Sequence, residues 1–144
     1  MKKLLYSILL FTSVILFGQK NKNVKFAICN DVLGTVDMFE SYKKQIESTV
    51  LFKADKLPQH LKKFNFLAES GLTEIKLKKN YGTPDILSLE NFNEQNSLAK
   101  DTPVNIDGFI VNDTTTKIYS EIIKDSEVRV EDGKKYIFIS TFNK

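Results

Sequence analysis

Two Asp-Gly pairs near the C-terminus constrain the fold more than anything else in this chain. Asp107-Gly108 separates Val104-Asn105-Ile106 from Phe109-Ile110-Val111, and Asp132-Gly133 separates Glu127–Glu131 from Lys134–Thr141. An Asp-Gly loop supplies the positive φ angles of a type I′ turn, so each pair between β-prone runs predicts an antiparallel hairpin. With Asp132-Gly133 as a two-residue loop, Val130 faces Lys135 and Val128 faces Ile137. Tyr136-Ile137-Phe138-Ile139 is apolar on both faces, which predicts an inner strand with something packed on each side. The C-terminal third is therefore expected to be β-rich.

Upstream, Val24–Ile28 is a compact β-prone run ended by Asn30-Asp31. Asp31-Val32-Leu33-Gly34 reads as a turn with glycine at its sharpest point. From Asp37, a plausible N-cap, Met38, Phe39, Tyr42 and Ile46 recur at helical spacing. Val50-Leu51-Phe52 suits a short strand. Asp55, Pro58 and the series Leu57, Leu61, Phe64 and Leu67-Ala68 predict a second helix that stops at Gly71. Leu72–Lys78 alternates as a strand with one wet face. Asn80–Pro84 breaks it, and Ser88 then caps a short helix that carries Leu89 and Phe92 inward, with Glu90 and Glu94 near its start. Ser97–Pro103 reads as a loop and Asn112–Thr116 as a polar connection. The mixed spacing of Ile118, Tyr119, Ile122 and Ile123 suits a short helix better than a strand.

The opening residues predict an address. Lys2-Lys3, an apolar run from Leu4 to Phe17 and then Gly18-Gln19 have the three-part pattern of a secretory signal peptide over residues 1–18. A helix over that run rises only about 21 Å, short of the roughly 30 Å hydrocarbon core, so no membrane span is expected after cleavage. Gln19 stands where a lipoprotein signal needs cysteine, which argues against lipid attachment there. Residues 19–23 form a polar linker, and 24–144 are expected to make a single α+β domain. About 126 of the 144 residues remain after cleavage, enough for one ordinary core. The expected location is periplasmic or extracellular in a Gram-negative cell.

Removal of Lys2 and Lys3 lowers the formal net charge from +3 to +1. With Arg129 the one arginine, the chain has little capacity for bidentate phosphate recognition, so no nucleic-acid partner is expected. Lysine pairs at 43–44, 62–63, 78–79 and 134–135 are spread among acids, as on a solvated surface. Cys29 is the single cysteine and can make no internal disulfide; within an apolar run it reads as a small core hydrophobe.

Catalytic signals are sparse. One cysteine and one histidine cannot build a soft-ligand zinc site. Asp101, Asp107 and Asp113 lie close in sequence but lack the ligand ladder of a calcium loop, and turn chemistry accounts for them. A Cys29–His60 nucleophile pair has no local motif behind it, and His60 is expected at the surface or its boundary. No nucleophile elbow, phosphate loop or dinucleotide turn is present. No catalytic, cofactor-binding or metal-ligating residue is assigned, and no cofactor is expected.

One segment carries a resemblance. Thr102–Val111 with its Asp107-Gly108 turn, followed by isoleucines and ending in Ile137-Phe138-Ile139-Ser140-Thr141, is similar to the opening and closing strands of plug domains in TonB-dependent outer-membrane receptors. It covers about forty residues and lacks the middle of that pattern. Kinship would imply an envelope-associated accessory module, with the strands of 104–141 in one sheet and helices on a single side.

Taken together, these features predict an α+β domain with about three helices on a mainly antiparallel sheet. The expected function is a non-catalytic binding or interaction module of the cell envelope with an envelope protein partner. The alternatives are a small secreted hydrolase with dispersed carboxylates and the plug-like accessory module.

Overall fold

A computed structural model describes residues 20–143; the expected signal peptide at 1–18 lies outside them. Ten strands form two sheets. The larger has the order β3-β4-β1-β2-β8-β5, built from β1 (Phe26–Cys29), β2 (Val32–Thr35), β3 (Ile46–Phe52), β4 (Leu72–Leu77), β5 (Ile86–Ser88) and β8 (Lys117–Tyr119). The smaller has the order β7-β6-β10-β9, from β6 (Val104–Ile106), β7 (Phe109–Val111), β9 (Asp125–Glu131) and β10 (Lys134–Ser140). Antiparallel pairs predominate, with parallel joins at β1–β4, β2–β8 and β6–β10. Helical pieces are α1 (Val36–Glu40), a long 3₁₀ segment at Gln59–Leu67 and α2 (Leu89–Gln95). The architecture is α+β with sheet predominating, as the sequence predicts. Among the described residues no helix is long and apolar enough to cross a membrane.

Both Asp-Gly hairpins form. Asp107 and Gly108 have φ of 50° and 90°, and Val104 pairs with Val111 across the turn. Val130 stands opposite Lys135 and Val128 opposite Ile137, the register set by a two-residue loop. The Asp107 carboxylate accepts from the Thr141 hydroxyl at 2.6 Å and from its amide, while its carbonyl accepts from the Asn21 amide at 2.8 Å. Residues 20–23, read from sequence as a linker, are thus held against this turn, with Lys20 also paired to Glu69 at 2.6 Å. β10 is an inner strand, but only its Ile137–Ile139 face is buried. On the other face Tyr136 and Phe138 are half-buried, and the Arg129 guanidinium lies 4.2 Å from the Phe138 ring centroid.

Other local expectations shift. The first reversal falls one step earlier than Asp31–Gly34: Asn30 and Asp31 take φ of 50° and 66°, and Gly34 lies inside β2. α1 is capped by Thr35, whose hydroxyl accepts from the Met38 amide at 3.2 Å; Asp37 sits in its first turn instead. The helix stops at Glu40 because Ile46, read as a late helical position, is drawn into β3 opposite Leu77. Leu61, Phe64 and Leu67 are buried at three-residue intervals, the 3₁₀ repeat, so this segment winds as 3₁₀ where an α-helix is expected. Residues 117–123 begin as β8 and only then make a 3₁₀ turn, Ser120–Ile122. The Ser88 hydroxyl caps α2 as predicted, accepting from the Asn91 amide at 3.2 Å.

β1 and β2 are buried along their whole length. Since side chains alternate along a strand, Phe26 and Ile28 serve one face while Ala27 and Cys29 serve the other. Phe26 meets Phe109 of the second sheet edge to face at 5.2 Å between centroids. On the opposite face Gly34 leaves room for Phe39 and Tyr119, which contact each other edge to face at 5.6 Å. A Cβ on Gly34 would come within 3.0 Å of the Phe39 ring and 3.1 Å of the Tyr119 ring. Gly34→Ala is therefore expected to destabilise the fold by about 1–3 kcal/mol through overpacking, measured by denaturant unfolding.

A second prediction comes from Tyr42, whose hydroxyl donates to the Glu121 carboxylate. This bond pushes the phenol up from 10 to about 12. The folded chain then keeps a proton that the unfolded chain releases, so the bond's contribution is complete below pH 10 and lost as pH rises toward about 12. Unfolding midpoints at pH 9 and pH 11 should therefore fall further for the wild type than for Tyr42→Phe.

Candidate functional site

The Asn30–Asp31 turn stands between two clefts, and this is where chemically useful side chains converge. Both turn residues adopt left-handed φ, which asparagine and aspartate tolerate better than most residues because their short polar side chains bond locally. The turn is consequently tight and projects Asp31 outward.

On one side a cleft of about 310 Å³ is lined by Asp31, Lys63, Phe66, Ile86, Asp113 and Lys117, among others. Asp31 pairs with Lys63 at 2.6 Å, with both side chains more than half exposed. Asp113 accepts from the Thr115 hydroxyl at 2.5 Å and from its amide at 3.1 Å, and these bonds hold its carboxyl below the usual range. Phe66 and Ile86 are exposed apolar side chains within this polar surround. The inner wall includes Tyr119, whose hydroxyl donates to the Cys29 carbonyl at 3.0 Å and whose phenol burial pushes well above its ordinary value.

On the other side a cleft of about 320 Å³ holds His60 and Glu74, whose Nε2 and Oε1 lie 2.7 Å apart. His60 is 60 % exposed, at the surface as the sequence reading expects, and Glu74 is 22 % exposed. An imidazole beside a carboxylate can move a proton, but it needs a nucleophile or a bound water to act upon. Cys29 does not supply one. It is fully buried, and burial pushes its thiol upward, away from the reactive thiolate. The structure therefore pairs His60 with Glu74 and leaves Cys29 in the core beneath Tyr119.

Asp101, Asp107 and Asp113 do not gather. Asp107 ties the β6–β7 turn to Thr141, Asp113 ties its own loop to Thr115, and Asp101 lies in the loop between α2 and β6. Among the described residues no group of three or more His, Cys, Asp or Glu side chains is placed to hold a metal ion. No aspartate or glutamate among them is fully buried as a whole residue, although the Glu131 Oε1 atom is itself covered and has no hydrogen-bond partner among them. The strands of 104–141 divide between both sheets, because β8 pairs with β2 and β5. This differs from the single sheet that the plug-domain resemblance implies.

Compared with protein-family models, curated proteins and solved structures, the chain matches none.

The grouping of Asp31, Lys63, Asp113 and Lys117 was not legible in the sequence, since three separated segments supply it. Asp31 is also the member most easily removed without harm to the fold. Its backbone is already left-handed and its ion pair is exposed, worth about 0–1 kcal/mol. Glycine favours that backbone region. Asp31→Gly is therefore expected to stay within about 0.5 kcal/mol of wild-type stability while removing the carboxylate from the cleft, as a thermal melt can check.

Proposed function

We propose that the chain is a non-catalytic binding or interaction module, exported to the cell envelope, that recognises its partner through the cleft beside the Asn30–Asp31 turn. The cleft carries this reading: carboxylates and ammonium groups from three segments surround Phe66 and Ile86 in a recess of about 310 Å³. Such a mixture suits recognition, because the apolar side chains supply burial energy while the placed charges fix orientation. Export rests on the three-part pattern of residues 1–18.

The test combines capture with turnover. Protein immobilised on a solid support is exposed to a solubilised envelope fraction, beside Asp31→Gly and Lys117→Glu variants shown to melt like the wild type. The expected result is a specific partner held by the wild type and reduced at least tenfold by either substitution. Esters, peptides and glycans offered to the same protein should remain intact. Turnover abolished by His60→Ala or Cys29→Ser would overturn the non-catalytic reading, and capture indifferent to both cleft substitutions would remove the cleft from it.

A further inference from the structure

Among the described residues, strand β9 ends the smaller sheet and is paired with β10 on one side only. Proteins usually blunt such an edge with a very short strand, a bulge, a proline or a lysine, because unpaired backbone groups recruit another strand. The other edges here are managed in these ways: β5 and β7 have three residues each, and β3 carries a register shift between Ile46 and Ser48. β9 has none of these devices, and its protection is confined to the charged side chains Asp125, Glu127, Arg129 and Glu131, of which Glu127 and Arg129 are opposite in sign. It runs seven residues in unbroken register with β10, its sequence Asp-Ser-Glu-Val-Arg-Val-Glu contains neither lysine nor proline, and Val128 and Val130 are 42 % and 65 % exposed. Both valines lie on the face that carries the buried Ile137 and Ile139.

We propose that β9 pairs antiparallel with β9 of a second copy of this chain, joining two four-stranded sheets into one of eight strands. This proposal is independent of the cleft, which lies on the larger sheet. The occupant follows from charge. When the two-fold axis passes through Val128, the two Val128 side chains meet, Ser126 faces Val130, and Glu127 of each copy stands opposite Arg129 of the other. Glu127 and Arg129 already touch within one strand. Pairing therefore makes a square in which every neighbouring charge is opposite, with cross-strand partners about 5 Å apart at Cβ. Moving the axis by one residue sets Glu127 against Glu127 or Arg129 against Arg129, so the register is specified. At the two ends Asp125 faces Glu131, a like-charge contact that keeps the association weak and reversible.

Sedimentation velocity of the purified protein, from about 10 µM to about 1 mM, tests the proposal. The wild type is expected to form dimers across that range. Glu127→Arg and Arg129→Glu should each raise the dimer dissociation constant at least tenfold, because each places like charges across the axis. An equimolar mixture of the two variants should dimerise again, since each supplies the charges that the other needs. Thermal melts establish that both variants fold, and Val128→Lys, which sets two ammonium groups at the axis, decides the matter if either does not. A wild type that stays monomeric would overturn the proposal. So would charge variants or a Val128→Lys chain that dimerise like the wild type, or a mixture of folded variants that remains monomeric, the result expected if β9 accepts a strand from a different protein.

Discussion

Everything in this domain is arranged around two four-residue strands that water does not reach. β1 and β2 are buried on both faces, so each face needs its own cover. The second sheet reaches one through Phe109 on Phe26, and α1 with Tyr119 closes the other through the space that Gly34 leaves open. With Cys29 the single cysteine, no internal disulfide can relieve this requirement. Burial of apolar surface has to hold the two sheets together. The position of the Asn30–Asp31 turn then follows, because the hairpin that forms the centre of the core can reverse only where it emerges between the two clefts.

How much of this could be read from the sequence depends on how far apart the deciding contacts lie. The Asp107-Gly108 and Asp132-Gly133 hairpins, and the Ser88 cap, are set by residues within a few positions of one another, and their geometry follows from local chemistry. The stretch from Asp37 to Ile46 has helical spacing, yet Ile46 belongs to β3 because Leu77, thirty-one residues on, offers it a strand partner. Helix propensity is worth only tenths of a kcal/mol per residue and cannot outweigh such pairing. At Leu61, Phe64 and Leu67 the three-residue spacing was itself the 3₁₀ signal, hidden because the neighbouring Leu57 also fits an α-helical interval.

The candidate site was less legible than the fold. Lys63 belongs to one of several lysine pairs on a charged surface, and nothing adjacent to it in sequence announces Asp31 as its partner. His60 drew notice because it is the single histidine, but its partner Glu74 lies on the wet face of β4 and looks like any solvated acid. Chemistry assembled from distant segments leaves a trace in sequence only when a local motif accompanies it, and here the nearest trace is the asparagine–aspartate turn itself.

The two ends of the described domain converge on one residue. Asp107 takes the Asn21 amide on its carbonyl and Thr141 on its carboxylate, so the incoming and outgoing chain leave the body side by side. Tension applied between those ends would act on this small polar junction and on the Lys20–Glu69 pair. The same adjacency makes the domain a cassette: joined end to end, or set into a loop of another protein, it would ask for only a short connection.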